Sequence, residues 1–224
     1  MTRHTDREYE QELEALRDAV LLMGARVEEM TKSALEAFEG HDLELARATI
    51  ARDSEIDRLE LDIDERCVRV LARRQPVASD LRFITTTLKI VTDMERIGDL
   101  AVNVCERVVE LDPGSLAPVR ASLVQMGYVV SDMLHEALDA FIQGDAARAE
   151  RMIQRDGVVD ATYAQIFPEL LAHMLNDPKS VQTAQMLQSI AKYLERVADH
   201  ATNLGEMVVY MVRGEDKRHA PKLR

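Results

Sequence analysis

The sequence predicts an all-α protein built as two tandem three-helix bundles related by internal duplication, and three observations predict it. The first is a repeat. Glu95, Arg96, Asp99 and Asn103 return at a constant offset of 100 as Glu195, Arg196, Asp199 and Asn203, and further upstream Ala34, Phe38, Asp42, Asp53 and Asp57 return at an offset of 103 as Ala137, Phe141, Asp145, Asp156 and Asp160. Self-similarity over about a hundred residues marks a duplicated structural unit. The second is apolar spacing: Ile90, Met94, Ile97, Ala101, Val104 and Val108 recur in steps of three and four, as do Ile190, Leu194, Val197, Ala201, Leu204 and Val208, which is the stripe of an amphipathic helix. The third is the lack of any period-two alternation flanked by hairpin turns.

Helix-breaking stretches set the elements in order. EGHD at 39–42 ends the first helix, RRQP at 73–76 the second, and DPGSLAP at 112–118 the third. QGD at 143–145 and NDP at 176–178 divide the second half in the same way, giving six long helices. Asp42 and Asp145 stand where an N-capping side chain is needed, and Asp177 precedes Pro178 at a helix start. Connections this short force neighbouring helices to run antiparallel, so each half reads as an up-down-up bundle. The predicted halves are residues 1–112 and 113–224, with DPGSLAP as the hinge.

Composition narrows the function. The chain has 40 acidic and 28 basic residues, a formal charge of −12, which repels a phosphate backbone and predicts no nucleic-acid binding. With 4% aromatics and no Trp it offers few surfaces on which bases could stack. The first residues lack the apolar stretch of a secretory signal, and the longest apolar run, 207–212, falls far short of the roughly 20 residues that span a bilayer. A cytoplasmic protein is expected. Cys67 and Cys105 sit at apolar helical spacings and do not match in the repeat, so buried reduced thiols are expected rather than a disulfide.

The acidic residues carry the candidate chemistry. Measured from Met94 on the core stripe, Glu95, Asp99 and Asn103 lie at about 100°, 140° and 180°, pointing away from the core. Like charges four residues apart stand about 5 to 6 Å from each other and repel by a few tenths of a kcal/mol. One helix earlier, Asp53 and Asp57 form a second pair, extended by Glu60 and Asp64. Asp57 lies 18 residues before Gln75 and Glu95 lies 19 after Pro76, so an antiparallel hairpin brings the two pairs level. Asp160 lies 17 residues before Asp177 and Glu195 lies 17 after Pro178, and they come level too. Four carboxylates with an amide oxygen from Asn103 or Asn203 suit hard cations such as Mg²⁺, Mn²⁺ or Ca²⁺, and carboxylate-rich sites also take iron and zinc. The expectation is two outward-facing metal sites, formed by Asp53, Asp57, Glu95, Asp99 and Asn103 and by Asp156, Asp160, Glu195, Asp199 and Asn203. The alternative is a solvated helix face on which Arg96 and Arg196 make ordinary surface ion pairs, worth little.

Other chemistries lack their residues. A helix-bundle di-iron oxidase needs Glu-x-x-His on two helices, and no histidine here follows a Glu by three. There is no Gly-rich phosphate loop, nucleophile elbow or Cys/His zinc cluster. No catalytic residue is assigned.

The stretches MERIGDLAVN at 94–103 and LERVADHATN at 194–203, preceded by DIDERCVRVLARRQPVASDLR at 62–82 and followed by VRGEDKRH at 212–219, resemble the PhoU family of phosphate-signalling proteins. The resemblance runs along nearly the whole chain, duplication included, although Ala198-Asp199 replaces the usual Gly-Asp in the second copy. It implies two three-helix bundles, a cytoplasmic and often dimeric protein, and multinuclear clusters of iron, zinc, manganese or magnesium on the acidic faces. It also implies a negative regulator of high-affinity phosphate uptake and starvation signalling, an adaptor between the ATPase subunit of the phosphate ABC transporter and a sensor histidine kinase, meeting the membrane only through these partners.

The segment Ala78, Ser79, Asp80, Leu81 and Arg82 has no clear counterpart in the second copy. Asp80 and Arg82 are therefore candidate partner-binding residues, with helix capping by Asp80 as the alternative. Two rival functions stay open beside the regulator: a metal-dependent enzyme acting on phosphate compounds, and a metal-free helical scaffold whose acidic stripes bind basic partners.

Overall fold

The computed structural model describes residues 2–112 and 117–214, with side chains described over 7–112 and 119–214. Its helices are α1 (Thr2–Gly40), α2 (Leu43–Ile50), α3 (Asp53–Arg73), α4 (Ala78–Glu110), α5 (Ala117–Gln143), α6 (Ala146–Ile153), α7 (Asp156–Asn176) and α8 (Val181–Arg213), with a 3-10 turn over Pro178–Ser180 before α8. No strand occurs among the described residues. The capping expectations hold: Asp42 accepts from the amides of Glu44 and Leu45, Asp145 from Arg148, and Asp177 from Lys179.

The expected six helices are eight, because the second helix of each half is interrupted. After Ile50 the Arg52 amide reaches back three residues to the Thr49 carbonyl, and the Glu55 amide to Arg52. Arg155 bonds to Met152 and Val158 to Arg155 in the same manner in the second half. This local 3-10 tightening re-aims the chain without proline, and in the first half without glycine; the second half has Gly157 within the turn. The short helix packs on α4 or α8, and the next begins at Asp53 or Asp156. The break thus puts the first acid of each predicted pair in the first turn of a helix, where the backbone dipole favours negative charge.

Helices α1 to α4 form one bundle and α5 to α8 the other, and the two pack through α4 against α8 and α1 against α5. Contacts across this seam exchange under the repeat. Gly24 of α1 meets Leu138 of α5, and Gly127 of α5 meets Leu35 of α1. Antiparallel packing of α4 on α8 is fixed by Arg82 beside Met211 and Asp93 beside His200. The halves are therefore related by an approximate two-fold axis through the seam, and one continuous core, from Leu16 and Phe38 to Leu187 and Val208, runs through both. The centre of the DPGSLAP segment expected as a hinge, 113–116, lies outside the described residues, as does most of VRGEDKRH. Cys67 and Cys105 are buried and unpaired, as expected.

Candidate metal centre

Three side-chain exchanges show how the duplicated cores hold the acidic helices at similar depth. In the first half Ile56 of α3 rests on the helix surface left by Gly98 of α4. Val159 and Ala198 hold the matching places in the second half, moving one methylene from one helix to its neighbour while keeping the volume. A third exchange lies about two turns on, where Thr49 bonds the Cys105 thiol and the second half has Met152 against Gly205. All these positions are buried.

On the outer edge of the α3–α4 contact the two acidic pairs meet as the register predicts. Asp53 feels the charges of Asp57, Asp99 and Glu106, and Glu95 feels Asp99, Glu60 and Asp57. Partial burial raises the proton affinity of Asp53, Glu95 and Asp99, and the neighbouring carboxylates raise it further. Glu60 and Asp64 are also raised, burial being the largest cause for each, although a hydrogen bond with Thr92 pulls Glu60 back. One oxygen of Asp64 is buried without a hydrogen-bond partner. On α7 and α8, burial first and then Asp199, Asp160 and Asp156 raise the Glu195 carboxyl. Asp156 is buried, while Asp160 and Asp199 are exposed.

Not all the chosen residues converge. Asn203 is exposed and donates its amide to Asp93 of α4 at 3.3 Å, beside the His200 ring, which donates to the same Asp93 oxygen at 2.6 Å. Asn203 therefore tends the seam between bundles. Asn103 is half-buried on the acidic face of α4. Arg96 lies 3.4 Å from Glu95 and 3.6 Å from Asp99, the ion pairing foreseen as the rival reading. It is too exposed to offset the crowding, since both acids keep a raised proton affinity. Among the described residues no three His, Cys, Asp or Glu side chains are drawn together as a ready metal-binding group. The carboxylates lie close enough to feel one another's charge but do not form a closed cage.

Glu106 was not selected from the sequence, yet it couples to Asp53. The signal was present: 95, 99, 103 and 106 fall at helical spacing, and Glu106 returns as Glu206 at the same offset of 100. A carboxylate cluster of this kind, crowded, partly desolvated and fed by two helices, presents only the oxygen donors that hard cations take; it offers no nucleophile and no general base apart from the acids themselves.

The candidate docking residues have internal partners. Tyr9 donates its hydroxyl to Asp80 at 2.9 Å, and burial, with this bond adding to it, pushes the phenol to about 12. Arg82 reaches the carbonyl of Met211 in the last turn of α8 at 3.5 Å, a favourable place for a cation. Both side chains thus have partners within the chain, and Asp80 lies in the first turn of α4, where no side chain makes an N-cap bond.

The model of the PhoU domain matches twice, at residues 20–108 and 123–208. This chain belongs to the PhoU family. It is 40% identical over 220 residues to the Pseudomonas aeruginosa phosphate-specific transport system accessory protein PhoU homolog, covering 98% of this chain and 91% of the relative. Identity to the Escherichia coli phosphate-specific transport system accessory protein PhoU is 35% over 219 residues, with the same coverage of both. The crystal structure of PhoU from Pseudomonas aeruginosa superposes with a TM-score of 0.89 at 40% identity, over 92% of this chain and all of that one. The phosphate transport system regulatory protein PhoU of Streptococcus pneumoniae superposes at 0.86 with 32% identity, over 93% and 98%. These relatives are named as accessory and regulatory proteins of phosphate transport systems. Among the described residues, no helix is long and apolar enough to cross a membrane.

Proposed function

We propose that this PhoU protein is a cytoplasmic regulator of phosphate homeostasis that lowers high-affinity phosphate uptake and starvation signalling. It does so by linking the ATPase of the phosphate ABC transporter to a sensor histidine kinase, with metal ions held on its two acidic faces. The observation that carries the role is likeness along 98% of the chain to accessory proteins of phosphate-specific transport systems. The metal reading rests on opposed carboxylates, Asp53 and Asp57 facing Glu95 and Asp99, with Asp156 and Asp160 facing Glu195. The raised proton affinity of Asp53, Glu95, Asp99 and Glu195 means that these groups would gain from a counter-ion, and the oxygen-only donor set fits iron, manganese, magnesium or zinc. A bound cation would supply positive charge and fix the two helices of each hairpin to each other. Glu106 and Glu60 are placed to join it.

Docking is assigned to the end of the molecule where α4 begins, around Asp80 and Arg82. Charge reversal at Arg82 should weaken capture of the transporter ATPase or the kinase. A metal-free scaffold is the second reading, favoured by Arg96 beside Glu95 and Asp99. In a strain lacking the gene, the wild-type chain should restore low uptake and low starvation-gene expression, and a chain carrying Asp99→Asn with Asp199→Asn should not. Normal regulation in the deleted strain would overturn the role; full rescue by the doubly substituted chain would favour the scaffold.

A further inference from the structure

Two cavities open side by side at the end where α4 begins and α5 and α8 stop. One, of about 420 Å³, has apolar walls from Phe83, Phe141, Ile142, Met211 and Val212. The other, of about 530 Å³, is lined by Tyr9, Glu10, Glu14 and Asp80. Arg17 and Asp80 line both. The Arg17 guanidinium lies 5.1 Å above the Phe83 ring, a cation–π contact that makes it a partition between the two. Ile142 is 56% exposed and Val212 42% exposed, so the apolar cleft reaches the surface, bounded at one corner by the left-handed turn at Gly144 (φ 61) that ends α5.

At the two-fold mate of this end the described residues are arranged differently. Arg120, the repeat partner of Arg17, donates to the carbonyls of Phe38 and Glu39 at 2.6 and 3.3 Å and lies over the Phe38 ring. Phe83 has Thr183 as its mate and Asp80 has Ser180. The paired cavities lie astride the seam and are formed by residues of both halves.

We propose that this end is a docking site for a protein segment that presents a large apolar side chain next to basic residues. The apolar side chain enters between Phe141 and Ile142, and the basic residues meet Glu10, Glu14 and Asp80, three carboxylates set against the single guanidinium of Arg17. The charge complementarity selects a basic segment over an acidic one, and a buried apolar anchor within a charged rim is the usual anatomy of a protein contact. The inference rests on the reading that a protein partner docks at this end, and adds the chemistry that the partner must carry.

The test uses the whole chain and two short fluorescein-labelled amphipathic peptides with one leucine and phenylalanine pattern, one carrying lysine and arginine at its polar positions and the other glutamate. Fluorescence anisotropy should show the basic peptide binding about tenfold or more tightly than the acidic one, and weakening with salt. Ile142→Asp and Glu14→Lys, both at exposed positions that leave the helical circular dichroism unchanged, should each weaken it by about tenfold, while Glu169→Lys on the outer face of α7 should not. Binding of neither peptide, equal binding of both, or equal loss with Glu169→Lys would overturn the proposal. If the peptide results hold while purified transporter ATPase and kinase fail to bind, the cleft stands and the assigned partners fall.

Discussion

The bare Cα of Gly127 on α5 lies under the side chain of Leu35 on α1, and the exchanged pair, Gly24 on α1 with Leu138 on α5, repeats the contact across the two-fold axis. Each glycine lets a leucine of the other half sink into a helix surface, so the duplication is used twice: within a bundle as a repeat, and between bundles as a symmetric interface. A Cβ at Gly24 would stand 2.9 Å from Leu138 Cδ2, and one at Gly127 would press closer still on Leu35.

Gly127→Ala should therefore destabilise the protein. Overpacking a close-fitted contact costs about 1–3 kcal/mol, which exceeds the gain of about 0.5–1 kcal/mol from replacing a mid-helix glycine. Urea denaturation should show a loss of about 1–2 kcal/mol, and Leu35→Val in the same chain should recover part of it. Equal stability of Gly127→Ala and wild type would mean that the seam is loosely packed.

Gly98→Ala should do the opposite. An added Cβ there meets Ile56 at 3.5 Å, an ordinary van der Waals contact, and Ala198 already occupies the matching place in the second half. Stability should rise by up to about 1 kcal/mol, read as a higher melting temperature. A fall would show that Gly98 serves a need in the first half other than packing.

Much of this arrangement is legible in the sequence, and what is not has identifiable causes. The offsets of 100 and 103 announce the duplication, and the capping acids Asp42 and Asp145 mark helix starts because their side chains bond the next amides directly. The levelling of Asp57 with Glu95 follows from turn position alone, since an antiparallel hairpin fixes height by counting. The break before Asp53 escapes notice because Ala51-Arg52 carries no glycine or proline, and the break before Asp156 because Gly157 stands alone in a helical pattern, which a helix tolerates. Asp93 with His200 could not be read because their mates are Tyr193 and Leu100: the contact occurs once and depends on how α4 lies on α8, which no periodicity encodes. It is this seam contact that draws Asn203 away from the acidic groove.

Acidity should be stabilising in the absence of divalent ions. Asp53, Glu60, Asp64, Glu95, Asp99 and Glu195 all bind protons more tightly folded than their ordinary carboxylate range implies. The native state then holds more protons than the unfolded chain, and the contribution of these groups is full below the ordinary range and is lost as pH rises through the raised folded values. With chelator present, stability should fall as pH rises from the ordinary carboxylate range through the window just above it. Saturating divalent metal should flatten that slope. An unchanged slope with metal would separate the acidic groove from cation binding.

Both thiols should be inert in the folded protein. Burial pushes Cys67 and Cys105 to about 12, so almost no thiolate exists at neutral pH. A thiol-specific chromogenic reagent should react with neither under native conditions and with both in denaturant. Fast native reaction at either would show that α3 or α4 opens locally.

The direct test of the account is the metal content of each half. Protein purified without chelator and reconstituted in turn with iron, zinc, manganese and magnesium should retain at least one of them when analysed by inductively coupled plasma mass spectrometry. Asp57→Asn with Asp99→Asn should remove the first site only, Asp160→Asn with Asp199→Asn the second only, and all four substitutions both. A wild-type chain that retains none of these metals, or quadruple variants that retain as much as wild type, would contradict it.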